Sequence, residues 1–114
     1  MQDPANGQLI AGPALLPEEN LANPALVDTF HTALRSNDAT FGEKGRTDGV
    51  IVRLGTEKIP PPEATFVTWT MADDSPYYCV EPWMGPANAA EHKVGLSFVN
   101  PGETKKFTVS VSVK

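Results

Sequence analysis

The sequence predicts an all-β fold: an antiparallel β-sandwich with one short N-terminal helix. Three observations predict it. Glycine and proline are abundant, 9 and 11 of 114 residues, about 18% together against a usual ~12%, which favours frequent turns over long helices. Beyond residue 50 the apolar residues recur with a period of two, the signature of half-buried strands. The strand-like runs are separated by short turns with no helices between them, which argues for antiparallel rather than parallel sheets.

Residues 1–22 read as an irregular N-terminal segment. Pro4, Gly7, Gly12, Pro13 and Pro17 interrupt any period around the apolar islands Leu9-Ile10 and Leu15-Leu16. Residues 23–114 read as the β-sandwich segment. At its start, Asn23 suits a helix cap and Pro24 a first helical position. Leu26, Val27, Phe30, Ala33 and Leu34 form one stripe, so a helix is expected over 23–36. A loop rich in glycine and charge follows, from Gly42 to Gly49.

Val50 to Leu54 is a short strand ended by Gly55. Lys58-Ile59-Pro60-Pro61-Pro62-Glu63 is a stiff connector, since three successive prolines cannot lie in a central strand. Ala64 to Met71 is the next strand, with Phe66 and Thr68 on one face and Val67 and Trp69 on the other. Asp73-Asp74-Ser75-Pro76 is a turn. Tyr77 to Glu81 is strand-like and aromatic, and a loop runs from Gly85 to about Lys93. Val94 to Val99 and Lys105 to Val113 complete the strands. The last alternates cleanly, and Phe107, Val109, Val111 and Val113 are expected inward.

Nine basic against fourteen acidic residues give a net charge of −5. That disfavours a nucleic-acid partner held through phosphates, and attachment to anionic membranes. No apolar run reaches the length of a membrane-spanning helix, and Met1-Gln2-Asp3-Pro4 does not open a secretory signal, so a cytoplasmic location is expected. One cysteine forms no internal disulfide. With two distant histidines it offers no metal-ligand spacing.

Glu81 is the sharpest anomaly, a carboxylate within the aromatic run Tyr77-Tyr78-Cys79-Val80-Glu81-Pro82-Trp83. Such a group either points to water at a sheet edge or sits in a pocket whose surroundings tune it to take and return protons. Trp69 and Trp83 are either core residues or a stacking wall for the C–H faces of a sugar. His31, on the expected helix, reads as a surface or interface residue. His92, in the loop after Glu81, is a candidate acid partner. Cys79 reads as a small core residue, Lys105-Lys106 as a solvated strand start, and Asp38 as a turn residue after the helix. Arg35, Arg46 and Arg53 have no spacing that requires a phosphate clamp.

Several of these residues carry a resemblance. Val67-Thr68-Trp69-Thr70, the run Ser75 to Trp83 with its Cys79-Val80-Glu81-Pro82-Trp83 core, Gly85, Pro101-Gly102-Glu103-Thr104 and Phe107-Thr108-Val109 resemble the C-terminal segment of the aldose 1-epimerases, the galactose-mutarotase-like family. Asn37-Asp38-Ala39-Thr40-Phe41 is more loosely similar to an upstream segment of that family, so the resemblance covers roughly residues 36–114. It implies part of a larger β-supersandwich that interconverts the α and β anomers of a free hexose without a cofactor. It places Glu81 on the family's general base, and Trp83, Trp69 and Asp38 around the sugar. The family's histidines, including the acid serving the ring oxygen, lie upstream of the matched part, and neither His31 nor His92 falls in that motif. The expected partners are therefore a monosaccharide and either a homo-oligomer or a complementing N-terminal half. Two further readings stand beside the enzyme: a non-catalytic carbohydrate-binding module, and a structural domain whose open edges pair with another chain.

Overall fold

The computed structural model describes residues 10–72 and 74–114. Leu9 and Asp73, which figured in the expected apolar island and acidic turn, lie outside them. The described chain is built from two three-stranded antiparallel sheets, as the residue pattern predicts. The first has the order β1 (Thr29–His31), β4 (Ala64–Trp69), β5 (Cys79–Met84). The second has the order β2 (Asp38–Phe41), β3 (Val50–Leu54), β6 (Val109–Val113). One helical turn, α1 (Ala89–His92), lies in the loop after β5.

The core lies between the sheets. Val52 and Leu54 of β3 meet Ala64 and Phe66 of β4, with Leu34, Ala39, Phe41, Val50 and Val80 packed around them. Residues directly opposite one another in an antiparallel pair share a face. Phe66 opposes His31 and Pro82, and Thr68 opposes Thr29 and Val80, so these side chains look toward the second sheet. Phe30, Thr65, Val67, Trp69, Cys79, Glu81 and Trp83 occupy the outer face.

The helix expected over 23–36 is corrected to a single 3-10 turn, Pro24–Leu26, followed by a strand. The cap is as expected, with the Asn23 side chain accepting from the Ala25 N–H. Asp28 then turns the chain at a φ of 52°. The Thr29 hydroxyl folds back onto the carbonyls of Ala25 and Val27. Thr29, Phe30 and His31 gain a full ladder by pairing with β4, and that pairing overrides the helical spacing of the apolar residues.

Two further differences matter. Val94 to Val99 forms no strand; Lys93 and Gly95 both adopt positive φ, and Val94, Phe98 and Val99 are exposed. Strand β6 forms, and its valines oppose Val50, Val52 and Leu54, so they do point to the inner side of their sheet. They are nonetheless exposed, Val111 by 67% and Val113 by 83%. Strand β3 lies against β5, and among the described residues no strand of the first sheet packs extensively over β6.

Candidate functional site

Glu81 and Trp83 stand two residues apart on β5, so both project from the outer face. The proline between them fits because β5 is an edge strand. The Gly85 N–H donates to the Glu63 carbonyl, and the alternation of an antiparallel ladder then pairs Glu81 with Val67 and Trp83 with Thr65 through hydrogen bonds. Position 82 faces the free edge, where a missing N–H costs no ladder bond. Gly85 itself turns away at a φ of 84°. A Cβ there would stand 2.8 Å from the Gly95 carbonyl oxygen.

The indole Nε1 of Trp83 donates to Glu81 Oε2 at 3.0 Å, fixing carboxylate and ring relative to each other. The ring of Phe30, from β1, meets Trp83 edge-to-face with centroids 5.7 Å apart and planes at 89°. Val67 and Thr65, on the same face, are buried, while Trp83 is 39% exposed and Glu81 half-buried. The result is an aromatic surface with an acceptor at its margin. Rings held this way offer a flat apolar face beside a hydrogen-bonding group, the combination that suits a pyranose.

The other residues singled out from the sequence are not gathered here. Trp69 shares the outer face but lies at the opposite end of the sheet, tilted against Tyr77 with centroids 5.9 Å apart. Asp38 belongs to the second sheet. Its Oδ2 accepts from Arg53 Nη2 at 2.7 Å across the β2–β3 pair. Cys79 is half-buried opposite Trp69. Lys105 is paired with Glu63 and also donates to Ser97 Oγ. Phe30 fits a helical stripe in the sequence, and only its pairing with β4 places it beside Trp83.

The two histidines line a separate cleft of about 750 Å³. It is walled by Ile10 to Pro13 with Leu15, by Thr29 to Thr32 and by the α1 region, and Phe30 is shared between this cleft and the Trp83 surface. His92 Nδ1 accepts from the Val94 N–H at 3.0 Å, so its Nε2 carries the hydrogen it donates to the Ala87 carbonyl. His31 Nε2 lies 2.7 Å from Thr68 Oγ1, which gives its own hydrogen to the Leu26 carbonyl at 2.7 Å. The imidazole is therefore the donor in that pair. Among the described residues, no group of His, Cys, Asp or Glu side chains is placed to hold a metal ion. No described helix is long and apolar enough to cross a membrane.

Burial lowers the pKa of His31 below the usual histidine value. On acidification the unfolded chain takes up this proton before the folded one, so stability falls as pH drops below about 6.5. Glu63 acts in a lower window. The hydrogen bond from Lys105 holds its carboxyl below the usual glutamate range, and the stability it supplies is lost as pH falls through that lowered value. The melting temperature is therefore expected to begin its decline below about pH 6.5, before the carboxylates titrate. His31→Gln is expected to flatten that first decline and leave the more acidic one. An unchanged first decline in the variant would assign it elsewhere.

No protein-family model, curated protein or solved structure matches the chain.

Proposed function

We propose that the chain binds a free hexose on the outer face of its first sheet, and that Glu81 serves there as the proton acceptor of aldose 1-epimerase chemistry. The observation that supports this most is the Glu81–Trp83 pair: a carboxylate oriented by an indole N–H at 3.0 Å beside an exposed ring. The pyranose stacks on Trp83, and its anomeric hydroxyl donates to Glu81. Transfer of that proton to the carboxylate forms the C1 carbonyl as the C1–O5 bond breaks, and O5 takes a proton from an acid. Rotation about C1–C2 and the reverse transfers then give the other anomer.

A second reading, binding without catalysis, is favoured by the histidines. The Nε2 hydrogens of His31 and His92 are committed to Thr68 and the Ala87 carbonyl. Both rings line a cleft whose walls do not include Glu81. In that reading Glu81 accepts a hydroxyl hydrogen bond and goes no further.

One pair of measurements separates the readings. Hexose binding is followed by saturation-transfer NMR, and anomer exchange by NMR exchange spectroscopy. Trp83→Ala is expected to weaken binding at least about tenfold, since the ring supplies the apolar face on which the pyranose stacks, and stacking of a nucleobase on such a ring is worth roughly 1–3 kcal/mol. Glu81→Gln keeps an acceptor for the indole. It is expected to hold affinity within a few fold and to return exchange to the spontaneous rate, a loss of about 10²-fold or more. Binding without acceleration in the wild type removes the epimerase reading and leaves the module. Absence of binding removes both.

A further inference from the structure

The inner side of the second sheet is wider than the sheet that covers it. Val109, Val111 and Val113 stand on that side, opposite Leu54, Val52 and Val50, yet they are 41%, 67% and 83% exposed. Strand β6 is also an edge, with main-chain groups open to another strand.

The ladder shows which groups these are. The Gly55 N–H donates to the Thr108 carbonyl, and the Lys114 N–H to the Gly49 carbonyl, both at 2.8 Å. Alternation along an antiparallel pair then directs the N–H and C=O groups of Thr108, Ser110, Ser112 and Lys114 to β3. Those of Val109, Val111 and Val113 point to the open edge. Each valine thus combines an exposed apolar side chain with an unpaired peptide group.

The strand reads Val-Ser-Val-Ser-Val in either direction. A palindrome of this kind is self-complementary under a two-fold axis, the symmetry of most homodimers. We propose that β6 is the dimerisation strand of this chain. It pairs antiparallel with β6 of a second copy, with Val111 opposite Val111 and Val109 opposite Val113. In this register all three outward pairs of peptide groups find partners. Valine meets valine on the inner side and serine meets serine on the outer side, and Lys114 falls opposite Thr108 rather than a like charge. The two sheets become one of six strands, with both valine rows on the same side. Directly opposed β-branched residues stabilise such a pair. The short strand makes a small interface, which points to a dimer of roughly micromolar affinity.

Sedimentation of the full chain tests the proposal. The wild type is expected to shift from monomer to dimer as concentration rises through about 1–100 µM. Val111→Pro removes only an N–H that points to the open edge, so pairing with β3 survives while the dimer weakens at least tenfold. Val111→Lys is expected to do the same, since edge lysines block strand addition. Far-UV circular dichroism checks that both variants remain folded. In a Cys79→Ser background, Val111→Cys is expected to cross-link to its symmetry mate, because opposed Cα atoms in such a pair lie about 5.5 Å apart, within disulfide reach. Ser112→Cys, whose symmetry mate is two positions removed, is not. A wild type that stays monomeric to about 0.3 mM overturns the proposal. So does a dimer indifferent to Val111→Pro and Val111→Lys, or cross-linking that is equal at both cysteine positions.

Discussion

Leu54→Ala is expected to lower the free energy of unfolding by about 2–5 kcal/mol. Leu54 is 0% exposed and ends β3, the central strand of the second sheet, against Val52, Ala64 and Phe66. Its N–H donates to the Asn37 carbonyl at 2.8 Å and the next N–H to the Thr108 carbonyl, so the backbone is pinned on both sides and cannot close the cavity by shifting. The buried apolar set among the described residues is small: Leu26, Val52, Leu54, Ala64, Phe66 and Val67. A domain of this size typically has only ~5–15 kcal/mol of stability, so one large truncation removes a substantial part of it. Urea denaturation should show a lower midpoint with an unchanged slope. Val113→Ala, at 83% exposure, is the control. Measured where the chain is monomeric, it should stay within about 0.5 kcal/mol of the wild type. Equal midpoints for the two variants would mean that the space between the sheets is not the stabilising core.

The strands around that core were legible because their signals are local. Val50 to Leu54 alternates and stops at Gly55, whose φ is 79°, a conformation glycine adopts without the steric cost of a Cβ. Ala64 to Trp69 follows a proline run and carries β-branched and aromatic residues. Glu81 and Trp83 share a face because the side-chain period of a strand is two, and that much of the site could be read directly from the sequence. What could not be read is pairing between distant segments. The spacing of Leu26, Val27, Phe30, Ala33 and Leu34 fits a helix, and only the ladder with β4 decides that Thr29–His31 is extended. Asp38 reads as a turn residue, yet it begins β2, which pairs with β3 and lays Ala39 and Phe41 on the core. That pairing also puts Asp38 on the other sheet from Glu81, a separation that no local pattern encodes. In β6 the period foretold the inward direction of the valines. Whether a second layer covers them depends on how far the first sheet extends, which the strand itself does not specify.

Thr68→Val should be the second most damaging of these substitutions, although it conserves shape and volume. Thr68 is buried at the penultimate position of β4, the central strand of the first sheet, and its one hydroxyl serves two segments distant in sequence. It donates to the Leu26 carbonyl and accepts from His31 Nε2, both at 2.7 Å. These bonds tie the 3-10 turn and β1 to the centre of the first sheet, where pairing by three-residue β1 alone is short. Valine leaves the Leu26 carbonyl and the imidazole N–H without a partner, and each such group costs about 1–3 kcal/mol when buried. The half-buried imidazole regains part of that from water, so a total of about 2–3 kcal/mol is expected. The same substitution should alter the pH response. Nε2 donates in both the neutral and the charged imidazole, and the hydroxyl oxygen stabilises the charged form more. Without it burial is less opposed, the His31 pKa falls further, and more stability is lost on acidification below about pH 6.5. Thermal unfolding of wild type, Thr68→Val, His31→Gln and the double variant at pH 5 and pH 8 reads both effects. A coupling near zero between the two positions would show that the His31–Thr68 contact contributes nothing to the attachment of β1.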